Sequence, residues 1–90
     1  MFKDLEELVK IIRDRKDNPK EKSYTNKLLK DKKLSLDKVK EEIQELIESI
    51  EKNTNKTHEA ADVMYHLLVY LETNQIRIED VMEELNKRKK

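Results

Sequence analysis

Apolar residues recur along this chain at three- and four-residue spacing, the period of an α-helix with one face turned inward. Phe2, Leu5, Leu8, Val9 and Ile12 fall on one stripe and predict a first helix over residues 2–17. Asn18-Pro19 ends it, because the residue before a proline is pushed out of the helical region. Residues 20–34 lose the period and turn basic, with six lysines between Lys20 and Lys33, although Ser23-Tyr24-Thr25 can start a short helical turn through Leu28 and Leu29. Ser35 is the expected N-cap of the next helix, with Asp37 well placed in its first turn. That helix runs to about Lys52 with Leu36, Val39, Ile43, Leu46, Ile47 and Ile50 as its stripe.

Residues 53–56 form a tight polar loop, after which Thr57 is the expected cap of a helix reaching about Thr73. This helix differs from the others. From Ala60 to Leu71, Val63, Met64, Leu67, Leu68, Val69 and Leu71 cover its whole circumference, the mark of a helix buried on all sides. Asn74-Gln75 makes the last turn, and Ile78, Val81, Met82 and Leu85 give the stripe of a final helix ending near Arg88, with Lys89 and Lys90 fraying beyond it. The expectation is one all-α domain over residues 1–90, a bundle of four main helices. A chain of 90 residues buries only about 60 to 70% of its unfolded surface and has little with which to surround a fully apolar helix. A second copy of the chain is expected to complete the bundle as a homodimer.

Composition narrows the chemistry. Without cysteine there are no disulfides, no thiolate nucleophile and none of the usual zinc sites, which leaves Asp, Glu and His as metal ligands. Without glycine there is no phosphate-binding glycine loop, so phosphates would be held by metal ions, side chains or helix N-termini. The net charge is zero but unevenly spread: residues 1–40 carry 13 basic and 8 acidic side chains, and residues 41–72 carry 2 and 8. A basic front half beside an acidic centre suits an anionic ligand that arrives with a metal, and makes no case for nucleic acid. The N-terminus turns charged at once and no apolar run approaches the roughly 18 residues of a membrane span, so a cytoplasmic protein without a membrane partner is expected.

Within the acidic centre, carboxylates come in pairs three residues apart: Glu42 with Glu45, and Glu59 with Asp62. Residues three apart on a helix have Cβ atoms roughly 5–6 Å apart, so each pair can reach one ion. The short loop between the two helices makes them antiparallel neighbours, and the facing pairs can hold a hard cation such as Mg2+, with Mn2+ an alternative. Asp62 stands in an apolar stretch, where an ionised carboxylate costs several kcal/mol unless paired or metal-bound. The alternatives are a solvated charged face for Glu42 and Glu45, an ion pair or hydrogen bond for Asp62, with His66 or a lysine, and a satisfied core histidine for His66.

These residues resemble the phosphoribosyl-ATP pyrophosphohydrolases of histidine biosynthesis, members of the wider MazG-type all-α pyrophosphohydrolases. The wider signature is matched by Glu41-Glu42-Ile43-Gln44-Glu45 and Glu59-Ala60-Ala61-Asp62. The narrower one is matched by Ser23-Tyr24-Thr25, Lys38, the run from Glu59 into Tyr65-His66-Leu67-Leu68-Val69, and Ile78-Glu79-Asp80-Val81 with Leu85 and Arg88. Lys32 and Lys40 stand where that family usually has glycine, and Arg77 where it has a capping Ser or Thr, a loss of about 1 kcal/mol of helix stability. The resemblance implies Mg2+-dependent hydrolysis of phosphoribosyl-ATP to phosphoribosyl-AMP and pyrophosphate, with Glu42, Glu45, Glu59 and Asp62 as ligands and Glu41 or Glu42 as the base. It implies substrate contacts from Arg15, Lys16, Ser23, Tyr24, Thr25, Lys38 and His66. A MazG-type enzyme acting on nucleoside triphosphates would share the ligands, and a noncatalytic helical module would share only the fold.

Overall fold

A computed structural model describes residues 2–89 of the chain, and Lys90 lies outside them. Five helices follow one another: α1 (Lys3–Asp17), α2 (Tyr24–Lys30), α3 (Lys32–Lys52), α4 (Lys56–Thr73) and α5 (Ile78–Arg88). The four main helices are those the periodicity predicts, and the turn after Ser23 is a complete short helix. Ser23 caps it by accepting the amide N–H of Asn26 at 3.3 Å.

Two expected caps are corrected. α3 starts four residues earlier than expected, at an N-cap Asp31 whose carboxylate accepts the Leu34 N–H at 3.0 Å. Asp31 satisfies an orphan amide of the first turn, and Ser35 is left one turn inside the helix, buried. α4 begins at Lys56, one residue before Thr57, from an Asn55 in the left-handed conformation that makes no side-chain cap. The chain has no glycine, so left-handed turns fall to Asn53 (φ 56°), Asn55 (φ 43°) and Gln75 (φ 56°). Asparagine tolerates this region better than most residues.

The core lies where α1, α2 and α4 meet. Val9, Ile12, Leu28, Leu68 and Val69 are buried together, with Leu5, Leu8, Leu29, Leu34, Tyr65 and Ile78 packed around them. α3 packs against α4 through a face of small and polar residues, Ser35, Val39, Glu42 and Ser49. The buried hydroxyls of Ser49 and Thr73 are satisfied within their own helices, Ser49 donating to the Leu46 carbonyl at 2.7 Å and Thr73 to Val69 at 2.9 Å.

The expected stripe of α3 is therefore split. Val39 points inward, but Ile43, Ile47 and Ile50 are exposed, Ile50 by 58%. α4 is not buried on all sides within one chain either, since Met64 and Leu67 are exposed. The radius of gyration is 14.1 Å, against about 12 Å for a compact chain of this length. α5 has no buried residue. Its first turn is held by Arg13 of α1, whose guanidinium donates to Glu79 at 2.7 Å and to Glu72 of α4 at 3.0 Å.

Candidate active site

The loop Asn53–Asn55 folds α4 back along α3 and brings the two carboxylate pairs together. Glu42, Glu45 and Glu59 each offer an oxygen, all within 4.8 Å of one another; His58, Glu59 and Asp62 form a second such group, so that Glu59 belongs to both. Glu42 is only 7% exposed. One oxygen of Glu42 and one of Glu59 are buried without any hydrogen-bond partner. Two orphaned carboxylate oxygens in one cluster are expensive in a folded protein, and a cation is the partner their chemistry fits.

The electrostatics agree. Burial, the hydrogen bond and charge of Glu45, and the charge of Asp62 push the Glu42 carboxyl up to about 7, only partly offset by Lys38. Burial, with the charges of Glu45 and Asp62, also raises Glu59, while His58 opposes the rise. These four carboxylates repel one another as they stand, and what would relieve them is positive charge.

Asp62 departs from its expected setting. Its side chain is partly exposed and lies 3.3 Å from Nε2 of His58, so the residue at i−4 is its ionic partner. His66 instead donates from Nδ1 to the backbone carbonyl of Asp62 at 2.8 Å. That fixes the neutral ring's tautomer, leaving Nε2 to accept the Tyr24 hydroxyl at 3.0 Å. His66 is buried and lies outside both cation groups. Through it, Tyr24 on α2 is tied to the backbone beside a candidate ligand on α4.

Around that link Tyr24, Tyr65 and His66 form an aromatic cluster. The tyrosine rings stack at 6.4 Å, and both meet the imidazole edge-on. The Thr25 hydroxyl bonds the Tyr65 hydroxyl. Burial lifts the Tyr24 phenol above its usual range, with Tyr65, Glu42 and Glu41 adding to the rise and Lys38 opposing it. Tyr24 is thus close enough to feel the charges of α3. Lys38 binds Glu41 at 3.2 Å, and that bond is the main reason its ammonium is held above its usual range. Glu41 is exposed and lies outside the cation groups.

The basic residues of α1 are placed differently. Arg15 pairs with Asp14 at 3.2 Å, and its carbonyl accepts the buried Asn26 amide at 2.6 Å, which anchors α2 to α1. Lys16 reaches the carbonyl of Glu72 at 3.4 Å. Glu72 is ten residues beyond Asp62, about 15 Å along the helix axis, so Lys16 is not brought to the carboxylates within one chain. Ser23 serves as the α2 cap. Three residues that sequence reasoning passed over stand out here: His58, Tyr65 and Asn26. His58 was legible as the i−4 neighbour of Asp62 and Tyr65 as part of the Tyr-His string, whereas nothing in the polar stretch around Asn26 signalled its burial.

Fold and site define a class first: an all-α protein with carboxylates converging from two antiparallel helices beside an aromatic cluster. The chain belongs to the phosphoribosyl-ATP pyrophosphohydrolase family, whose model matches residues 5–89. It is 47% identical to a phosphoribosyl-ATP pyrophosphatase of Clostridium novyi over 96% of this chain and 81% of the relative, and 46% identical to that of Clostridium acetobutylicum over 93% and 79%. It is also 44% identical to the histidine biosynthesis bifunctional protein HisIE of Pyrococcus furiosus, over 96% of this chain and 41% of that longer protein. No solved structure matches the chain.

Proposed function

We propose that this chain, as a single domain, hydrolyses phosphoribosyl-ATP to phosphoribosyl-AMP and pyrophosphate with Mg2+ as cofactor. The observation that carries the reading is the pair of buried, unpartnered carboxylate oxygens on Glu42 and Glu59, within a family whose relatives are named for this reaction. Glu42, Glu45, Glu59 and Asp62 would hold the cation. When bound, it neutralises the triphosphate and the leaving pyrophosphate.

The chain's own residues do the rest. The four carboxylates would hold the cation between α3 and α4, where it could bind the phosphates. Lys38 bonds Glu41 and feels the charges of Tyr24 and Glu42, so its ammonium would be available to a phosphate oxygen at the site. Tyr24 and Tyr65 present stacked rings, a surface for a purine base; the Thr25–Tyr65 and Tyr24–His66 bonds hold α2 in register with α4, and Ser23 caps α2. A carboxylate of α3 would take the proton from the attacking water, with Glu42 and Glu41 as the two candidates.

A homodimer goes with this reading. Ile43, Ile47, Ile50, Met64 and Leu67 are apolar and exposed on the two helices that carry the site, and a second copy would cover them. Sedimentation as a monomer at micromolar concentration would overturn that part. Among the described residues no helix is long and apolar enough to cross a membrane, and a cytoplasmic enzyme of histidine biosynthesis is proposed.

The test is pyrophosphate release from phosphoribosyl-ATP and from a panel of nucleoside triphosphates, with Mg2+ and with chelator. Release from phosphoribosyl-ATP alone, abolished by chelator and by Asp62→Asn with helical circular dichroism intact, is expected. Faster release from ordinary nucleoside triphosphates would favour the MazG-type reading, and no release from any would leave a noncatalytic module.

A further inference from the structure

Asn26 is a polar residue, only 3% exposed, in the basic stretch between α1 and α3. Its carboxamide joins two other segments of the chain. Nδ2 donates to the Arg15 carbonyl at 2.6 Å and Oδ1 accepts the Lys20 N–H at 2.7 Å, while its own backbone N–H goes to the Ser23 hydroxyl at 3.3 Å. Arg15 lies in the last turn of α1, where carbonyls have no intrahelical partner, and the Lys20 N–H belongs to the connection from α1 to α2. A carboxamide donates and accepts at once, so one side chain satisfies both. An alkyl side chain here would orphan both groups, and a carboxylate would repel the Arg15 carbonyl.

The residues just before Asn26 carry the ties from α2 to the candidate site. Tyr24 donates to Nε2 of His66 at 3.0 Å and stacks on Tyr65, and the Thr25 hydroxyl bonds that of Tyr65. Leu28, fully buried, pins the far end of α2 in the core, and Asn26 fixes the near end, from which Tyr24 and Thr25 project. We propose that Asn26 is a positioning residue for nucleotide binding: it holds the first turn of α2 where Tyr24 keeps both its bond to His66 and its place against Tyr65. The inference rests on the reading of those rings as a purine surface and deepens it. None of the Asn26 bonds goes to the carboxylates, and the candidate ligands stand on α3 and α4. Its effect therefore falls on KM and leaves kcat and Mg2+ binding in place.

Steady-state kinetics on phosphoribosyl-ATP, Mg2+ titration calorimetry and the ring-nitrogen NMR signals of His66 at fixed pH, all on the full chain, test this. The proteins are wild type, Asn26→Ala, Asn26→Asp, Tyr24→Phe and the double variant of Asn26→Ala with Tyr24→Phe. Aspartate keeps the acceptor for Lys20 and suits the first turn of a helix, so it reports the lost donor without a weakened helix, and it carries the test should alanine fail to fold. Both Asn26 variants should raise KM at least about fivefold, the weight of one neutral hydrogen bond, with kcat and Mg2+ affinity near wild type. The His66 Nε2 signal should move in the direction in which Tyr24→Phe moves it. In the double variant KM is expected to stay near that of the more affected single variant, since both changes break one tie. Wild-type KM or an unmoved His66 signal in both Asn26 variants, or KM effects that multiply in the double variant, would overturn the role of Asn26 and leave the proposed function standing. No pyrophosphate release by wild type would instead remove the proposed function, and the nucleotide role of Asn26 with it.

Discussion

Replacing Glu42 by glutamine should stabilise the metal-free protein while disabling it. Glu42 is almost fully buried, and its carboxyl is raised from 4.5 to about 7 by burial first and by Glu45 and Asp62 after it. Between those values the folded chain holds a proton that the unfolded chain has released. The folded state therefore binds more protons than the unfolded one, and stability falls as pH rises from about 4.5 to about 7, then levels off. Each tenfold in proton affinity is about 1.4 kcal/mol, so an ionised Glu42 costs the metal-free fold up to about 3 kcal/mol at pH 8.

Glutamine keeps the shape, carries no charge and offers an N–H2 group to the oxygens of Glu45 and Glu59. At roughly 4–8 °C per kcal/mol for a domain of this size, Glu42→Gln in chelator at pH 8 should melt about 10 °C or more above wild type, with the gap closing toward pH 4.5. Melting followed by circular dichroism at several pH values gives the readout. Mg2+ should then reverse the order, since a ligand at about 1,000 times its dissociation constant adds about 4.1 kcal/mol to a protein that binds it and nothing to one that does not. If Glu42→Gln were less stable than wild type at pH 8 in chelator, or kept the same slope with pH, the account of Glu42 as a carboxylate held ready for a cation would be refuted.

Arg13→Ala removes the guanidinium that joins α1 to Glu72 and Glu79, and should cost roughly 1 kcal/mol after solvent screening, with hydrogen exchange rising first in α5. The same arginine holds the Glu79 carboxyl down to about 2, so the wild-type contribution is full above about 4.5 and lost as pH falls toward 2. That acid dependence should be missing in the variant's urea midpoints. Gln75→Gly places the permissive residue at a left-handed turn and should raise stability by roughly 1 kcal/mol, again read from urea midpoints. Tyr24→Phe deletes the hydroxyl that His66 accepts; about 1 kcal/mol of stability and a rise in KM for phosphoribosyl-ATP are expected, and unchanged kinetics would detach the aromatic cluster from the site.

How much of this was legible in the sequence depends on which force fixed each feature. Helix existence was legible, because the 3.6-residue period of Leu5, Leu8 and Ile12 has no competing reading. The caps of α3 and α4 were not, because Asp31 and Ser35 are both good caps one turn apart and only packing decides between them; burial of Ser35 on the face toward α4 settles it. The carboxylate spacing was legible as geometry, three residues on each of two neighbouring helices. Its electrostatic state was not, since Glu42 looks like its neighbours Glu41 and Glu48 until α4 covers it.

The misread stripe of α3 is the more instructive case. The residues with the strongest apolar signal, Ile43, Ile47 and Ile50, face outward, while the face that meets α4 carries Val39 among Ser35, Glu42 and Ser49. A helix would give up its best apolar contacts within the chain only if something else claimed both faces. Small residues and carboxylates inward leave room for a cation between α3 and α4, and isoleucines outward suit a second copy of the chain. On that reading, one substitution separates the two demands. Ile47→Glu should break association in sedimentation while leaving the inner face, and hence Mg2+ binding to the monomer, in place; loss of both would mean that the carboxylates are held in position only by the partner.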